Sequence, residues 1–231
     1  MKSLSELEGQ IGIKFTNPKI LEESLTHRSF LNERASGDLH HNERLEFLGD
    51  AVLELSVTGF LFNKYPEKEE GELTALRAAL VNARMLYEIA MVLELGDYIK
   101  LSKGEAKESG KGKSYIVSNA VEALIGAIYL DQGYEVADGF IKKHICSNIQ
   151  DVLDNKLWQD SKSLFQEKAQ EILGITPTYE VIEESGPDHN KHFVVGVYLE
   201  DELISRGKGY SKQEAQVNAA ERGLKVKGWG E

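Results

Sequence analysis

The 231-residue sequence contains a single cysteine, Cys146. One thiol excludes an internal disulfide framework and fits a reducing compartment, the cytoplasm. Long apolar runs are also missing. The strongest, residues 51–62, is interrupted by Glu54 and falls well short of the roughly 20 apolar residues that a membrane span requires, so no membrane partner is expected. The opening Met1-Lys-Ser-Leu-Ser-Glu-Leu-Glu lacks the basic start and apolar stretch of a secretory leader. No internal repeat or low-complexity tract is present. Positive charge is scarce: 27 Lys+Arg stand against 38 Asp+Glu, a net charge of −11. Taken alone, that balance argues against a simple basic nucleic-acid binder. Cys146 has no evident His partner and no Ser motif stands out, so nucleophilic catalysis is poorly supported. No His or Cys pair has zinc spacing, and no small organic cofactor is expected.

What is present is an ordinary globular composition, 41% hydrophobic and 28% charged, with helical punctuation through the first 155 or so residues. Ser3 and Glu6 have capping-box spacing. Asn17-Pro18 opens a helix, because Asn caps well and Pro suits the first turn. A helix is predicted over residues 42–64, ended by Pro66. Residues 72–94 read as one Ala/Leu/Arg-rich helix stopped by Gly96. A Gly/Lys/Ser loop over 103–114 precedes an apolar helix over 116–130, and a last amphipathic helix is expected over 134–153. Composition and period then change. Residues 155–161 read as a polar linker between a unit over 1–154 and a second over 162–231. The second unit begins with a helix over 162–173 ended by Gly174. Strand-like segments follow at 178–185, 192–199 and 203–209, with period-two alternation at Phe193, Val195, Val197 and Leu199. Gly186 to Asn190 forms a turn cluster, Asp201-Glu202 is a hairpin candidate, and residues 211–225 form a final helix opened by a Ser211/Glu214 capping box. The expected fold is therefore multidomain, an all-α unit followed by an α-β-β-β-α unit of the α+β type.

The segment Asn42-Glu-Arg-Leu-Glu-Phe-Leu-Gly-Asp50 carries acids at Glu43, Glu46 and Asp50, which helical spacing stacks on one face. Like charges so placed repel unless a cation sits among them. Leu45, Phe47, Leu48, Ala51, Val52 and Leu53 imply that this helix is largely buried, and a partly buried carboxylate cluster is costly unless paired or metal-bound. The bland alternative is a solvated acidic stripe. A second acid weakens it: Glu122 lies in the apolar run Val121-Glu-Ala-Leu-Ile-Gly-Ala-Ile-Tyr, with Asn119 one turn earlier. Two helices offering hard oxygen ligands suggest Mg²⁺ or Mn²⁺ rather than zinc. Glu70-Gly-Glu72 supplies further acids in a loop leading into a helix.

The nine-residue segment closely resembles the signature of the ribonuclease III family. Leu25-Thr-His-Arg-Ser29, Glu70-Gly-Glu-Leu-Thr74 and Val121-Glu-Ala-Leu-Ile-Gly-Ala-Ile-Tyr-Leu-Asp131 follow in the family order. The second unit resembles a double-stranded-RNA-binding domain, so the likeness spans almost the whole chain. The resemblance implies an endonuclease that hydrolyses duplex RNA with Mg²⁺, Mn²⁺ being able to substitute. Glu46, Asp50 and Glu122 match metal-holding acids, with Asp50 and Glu122 as the catalytic pair. Glu43 and Glu70 match auxiliary acids. Asn119 stands where the family usually has an aspartate ligand, a departure that removes a charge. It fits a tolerated natural variant, an engineered change that traps a complex, or weakened catalysis.

In the second unit the resemblance places Gln166, Glu167, Gly186, Pro187 and His189 at minor grooves, with Lys212 at the major-groove phosphates. Gln213 departs from the usual lysine pair, and Lys162, Lys191 and Lys208 are possible auxiliaries. The resemblance further implies a homodimer with Phe47 plugging into the partner subunit, the alternative being an ordinary core Phe. Products would carry 5′-phosphates and short 3′ overhangs, in ribosomal-RNA precursor and messenger processing. Two other classes stay open: a duplex-RNA-binding regulator that grips without cutting, supported by Asn119 and Gln213, and a small-molecule phosphohydrolase, which leaves the second unit unexplained.

Overall fold

The computed structural model describes residues 2–33, 39–107, 111–158, 160–187 and 191–229, with backbone alone at 107 and 111. It divides into two compact units, Met1–Trp158 and Gln159–Glu231. In the first, helices α1 (Leu4–Ile11), α2 (Pro18–Ser24) and α3 (Arg28–Asn32) lead into α4 (Glu43–Lys64). Then come α5 (Glu70–Val81), α6 (Ala83–Val92), α7 (Lys111–Gln132), α8 (Tyr134–His144) and α9 (Ile149–Asp154). The Ser3/Glu6 capping box is present, and Asn17 caps α2 with Pro18 in its first turn. Among the described residues no helix is long and apolar enough to cross a membrane.

Three expected boundaries move, each for a local reason. Residues 72–94 form two helices instead of one, because Asn82 is extended and ends α5 while capping α6. Its side chain accepts from the Met85 N–H at 2.9 Å and donates to the Ala79 carbonyl at 3.0 Å. The segment 134–153 is likewise broken by a 3₁₀ turn at Cys146–Asn148. There the Asn148 amide donates to the carbonyls of His144 and Ile145, which competes with the helical ladder. Glu70 sits in the first turn of α5, not in a preceding loop, because Glu69 and Glu72 close a capping box around that turn.

The first unit is organised on α4 and α7. Val117, Ala120, Val121, Ala123, Leu124, Ile125, Ala127 and Ile128 of α7 are all buried, as expected of a helix apolar on nearly every side. The two helices cross with their backbones touching. A Cβ added at Gly49 would lie 1.8 Å from the Glu122 carbonyl oxygen, and one at Gly126 would lie 2.2 Å from that of Leu45. Only glycine permits this approach. Around the crossing, α8 is tied to α4 by Asp138, which accepts from the Ser56 hydroxyl at 2.7 Å and pairs with Lys142 at 2.6 Å.

The second unit holds α10 (Ser161–Leu173), strands β1 (Thr178–Ser185), β2 (His192–Leu199) and β3 (Glu202–Gly209), and α11 (Lys212–Lys227). The sheet is antiparallel in the order β1-β2-β3. Phe193, Val195, Val197 and Leu199 are buried on one face of β2, and Phe165, Ala169, Ala219, Ala220 and Leu224 from the helices complete the core. This is the expected α-β-β-β-α arrangement. Asn155 to Trp158 belong to the first unit, where Trp158 packs on its core and the Leu157 N–H donates to Val152.

Two expectations follow from this packing. Gly49→Ala or Gly126→Ala must push α4 and α7 apart, and each should destabilise the chain by about 1–3 kcal/mol in urea unfolding, the usual scale of overpacking. Asp138 yields a pH dependence. Burial opposes its ionisation, but the hydrogen bonds from Lys142 and Ser56 outweigh it and hold the carboxyl below its ordinary value of 3.8. A carboxyl depressed in the folded state stabilises the fold above its unfolded pKa and loses that contribution as pH falls through the folded one. Asp138→Asn should therefore flatten the decline of stability below about pH 4, read from unfolding curves across the acid range.

Candidate active site

The glycine crossing decides which side chains meet. Glu46 and Asp50 project from α4 one turn apart, and Asn119 and Glu122 project from α7 at the i, i+3 spacing. The Asn119 amide nitrogen donates to Glu46 Oε1 at 2.8 Å. Burial raises the Glu46 pKa, the Asn119 hydrogen bond opposes that, and the charges of Glu43 and Asp50 push it further up. Burial, then the charges of Asp50 and Glu46, push Glu122 up to about 7. Glu46 and Glu122 are thus partly buried beside the exposed Asp50, and burial first, then neighbouring negative charge, bears on the two buried acids. The amide of Asn119 turns its nitrogen toward Glu46, so its oxygen, the atom expected to face a cation, points elsewhere unless the amide rotates. Among the described residues no three His, Cys, Asp or Glu side chains are gathered closely enough to hold an ion as they stand.

Of the auxiliary acids, Glu70 lies away from this cluster, whereas the charge of Glu43 reaches Glu46. Glu43 is exposed and faces Arg28 Nη1 at 3.3 Å and His41 Nδ1 at 3.8 Å. Glu70 accepts from the Thr74 hydroxyl at 3.3 Å and lines a pocket of about 400 Å³ with Thr58, Leu61, Phe62, Leu73 and Arg77. That pocket lies two to three turns of α4 beyond Asp50, so within one chain Glu70 is not brought to the acid centre. Phe47 is 82% exposed between Glu46 and Asp50 in sequence, which excludes the ordinary core Phe within a single chain. Sequence reasoning missed Arg28 and Arg77. Arg77 bridges Glu54 at 2.9 Å and donates to Thr58, fixing α5 against α4. The only signal for Arg28 was its place inside Leu25-Thr-His-Arg-Ser29.

In the second unit Gln166 and Glu167 are exposed on α10, and Lys212 is exposed as the first residue of α11. Gly186 takes a positive φ of 92° after β1 and is followed by exposed Pro187. His189 lies outside the described residues. The capping of α11 differs from expectation. Ser211 accepts from the Glu214 N–H at 3.1 Å, but the Glu214 carboxylate accepts from Tyr210 at 2.9 Å instead of closing back on Ser211. The Lys212 ammonium lies 5.8 Å from the Phe193 ring centroid. Two of the auxiliary lysines are engaged within the unit, Lys162 with Gln216 at 2.9 Å and Lys191 with Glu184 at 2.7 Å.

Comparison with known proteins agrees with both units. Residues 17–149 match a family model described as ribonuclease-III-like, and residues 161–227 match a double-stranded RNA binding motif. A protein named Ribonuclease 3 from Clostridium botulinum is 42% identical over 221 residues, 96% of this chain and 94% of its own length. One of the same name from a Nitratiruptor species is 44% identical over 226 residues, covering 98% and 97%. Among solved structures, the nuclease domain of ribonuclease III from Campylobacter jejuni is 44% identical with a TM-score of 0.57, covering 64% of this chain and 97% of that one. A second structure of that domain, 42% identical with a TM-score of 0.56, covers 62% and 99% and is described as flexible in a region involved in dimer formation. An acid centre on two crossed helices, ahead of a duplex-RNA-binding fold, thus occurs in a chain that belongs to the ribonuclease III family of double-stranded-RNA endonucleases.

Proposed function

We propose that this chain is a Mg²⁺-dependent endoribonuclease, with Mn²⁺ able to substitute, that cuts double-stranded RNA to 5′-phosphate products with short 3′ overhangs. The observation that carries this reading is the placing of Glu46 and Asp50 on α4 across the Gly49–Gly126 crossing from Asn119 and Glu122 on α7, tied by the Asn119–Glu46 hydrogen bond at 2.8 Å, with Glu122 pushed up to about 7 by burial and then by its acidic neighbours. Carboxylates crowded until one resists ionisation form a donor set that a hard divalent cation would relieve. Glu46, Asp50, Asn119 and Glu122 are the residues that would hold it, Asn119 through its amide oxygen. A bound Mg²⁺ supplies an activated water, neutralised phosphate charge and a stabilised leaving oxygen. The protein's own contribution is positional, because the Gly49–Gly126 contact holds the ligand pairs of α4 and α7 opposite each other.

Duplex binding falls to the second unit, with Gln166, Glu167, Gly186, Pro187, His189 and Lys212 as the contacts. A homodimer fits the exposed face of α4. Phe47, Leu55 and Phe62 are 82%, 60% and 69% exposed and lie within about 80° of one another round the helix. The Glu70 pocket beside Phe62 is large enough for a phenyl ring, and the Campylobacter nuclease domain is itself described as forming a dimer. In this reading Phe47 enters the partner subunit and each subunit cuts one strand. Processing of ribosomal-RNA precursors and messengers in the cytoplasm is the cellular role.

One observation favours a second reading. Asn119 presents its nitrogen to Glu46, as it would in a weakened nuclease that serves as a duplex-RNA-binding regulator. A gel of long duplex RNA decides between them: fragments that require Mg²⁺ and vanish with EDTA are expected, and a shifted intact band would establish the regulator. Asn119→Asp should lower the Mg²⁺ concentration for half-maximal cleavage by about 3- to 10-fold, since ligand charge sets the affinity of hard-cation sites. Glu122→Gln should reduce cleavage by about 100-fold while leaving duplex binding intact. Phe47→Ala should shift the chain from dimer to monomer in sedimentation at micromolar concentration, and a stable dimer would count against the plug.

A further inference from the structure

Arg28 stands at the edge of the acid centre on an unusually fixed piece of backbone. The Asn42 N–H donates to the Thr26 carbonyl at 2.9 Å and the Asn42 side chain to that of Ser24 at 3.2 Å, which joins this segment to the start of α4. On its other side the His27 N–H donates to Lys100 at 3.1 Å, and the Lys100 N–H donates to Leu25 at 2.8 Å. The Ser29 hydroxyl accepts from the Ser102 N–H at 3.1 Å, and His27 Nδ1 accepts from the Ser29 N–H at 3.3 Å. The α-carbon of Arg28 is thus held from two directions. Its side chain is nevertheless 65% exposed and, among the described residues, pairs with Glu43 at 3.3 Å.

Glu43 is one helical turn before Glu46, about 5 Å along α4. It pairs with Arg28 at 3.3 Å while its charge still reaches Glu46, so a guanidinium is kept next to a site rich in carboxylates. Exposed ion pairs contribute little to stability, so exchanging Glu43 for another anion costs little. Arginine's planar fork matches a phosphate through two parallel hydrogen bonds. A strand entering the acid centre brings phosphates that the carboxylates repel, and a rigidly based, half-free cation one turn away offsets that repulsion.

We propose that Arg28 is a positioning residue for the duplex: its guanidinium leaves Glu43 for a backbone phosphate of the RNA, and Glu43 keeps it aimed there in the free protein. The inference rests on the nuclease reading above and assigns Arg28 no part in bond breaking. The test uses the full chain and a perfect RNA duplex of about 30 base pairs, comparing wild type with Arg28→Ala and Arg28→Lys. Expected for Arg28→Ala are a KM raised about 5- to 10-fold, kcat within about twofold, and unchanged thermal stability. The slope of log Kd for duplex against log salt should become shallower by about one, the signature of one lost phosphate contact. Arg28→Lys should recover part of the KM and the full slope. Unchanged KM and slope in Arg28→Ala would overturn the proposal. So would a joint fall of kcat, affinity and melting temperature without rescue by lysine, which marks a structural role. If wild type binds the duplex but never cuts it, the nuclease reading fails, and the binding slope alone still decides for or against Arg28.

Discussion

The contact between the backbones of α4 and α7 at Gly49 and Gly126 is the constraint on which the first unit depends. Without side chains at these two positions the helix axes approach until carbonyl oxygens fill the space a Cβ would take. The close approach has two consequences. It buries a nearly continuous apolar surface along α7, and it forces the polar residues that flank the crossing into one shared site. Had either glycine been larger, the backbones of α4 and α7 would have to move apart, and Glu46 and Glu122 with them.

That shared site is electrostatically unfavourable as it stands. Glu122 is raised to about 7 first by burial and then by Asp50 and Glu46, so the protein holds a cluster whose charges oppose one another. Asn119 relieves part of this by donating to Glu46, where an aspartate would add a further charge. On the proposed metal-binding reading, the asparagine that makes the free arrangement more tolerable also brings the ligand set one charge fewer than an aspartate would. Stability of the free site and affinity for a cation therefore pull in opposite directions at position 119. Glu43, one turn away, adds to the repulsion on Glu46 while its own carboxylate pairs with Arg28.

The acidity of the chain is shared between its units. Residues 1–158 hold 18 Lys+Arg against 25 Asp+Glu, and residues 159–231 hold 9 against 13. In the first unit part of the excess is the acid centre of Glu46, Asp50 and Glu122, which the proposed divalent cation would counter. In the second, Lys162 and Lys191 are engaged by Gln216 and Glu184, so the cations available to phosphate are fewer than their number suggests. The −11 balance does not exclude an RNA partner, since duplex shape and 2′-hydroxyl contacts supplement charge. Lys212 and Arg28 are among the cations that remain exposed.

Much of the molecule was legible from the sequence. Capping at Ser3 and Asn17, the strand alternation of β2 and the i, i+4 pairing of Glu46 with Asp50 are local, because caps, periodicity and helical spacing act within a few residues. The single long helices expected over 72–94 and 134–153 failed where Asn82 and Asn148 satisfied backbone groups with their own side chains, a competition that composition does not reveal. Sequence thus determined which residues were chemically able to form an acid centre and a duplex-binding unit. Tertiary structure alone decided that Glu122 comes within reach of the charge of Glu46, that Asn119 presents nitrogen instead of oxygen, that Glu70 opens onto the far half of α4, and that Glu43 pairs with Arg28. Those outcomes depend on how closely two helices far apart in sequence can approach, and that distance is set by packing across the core.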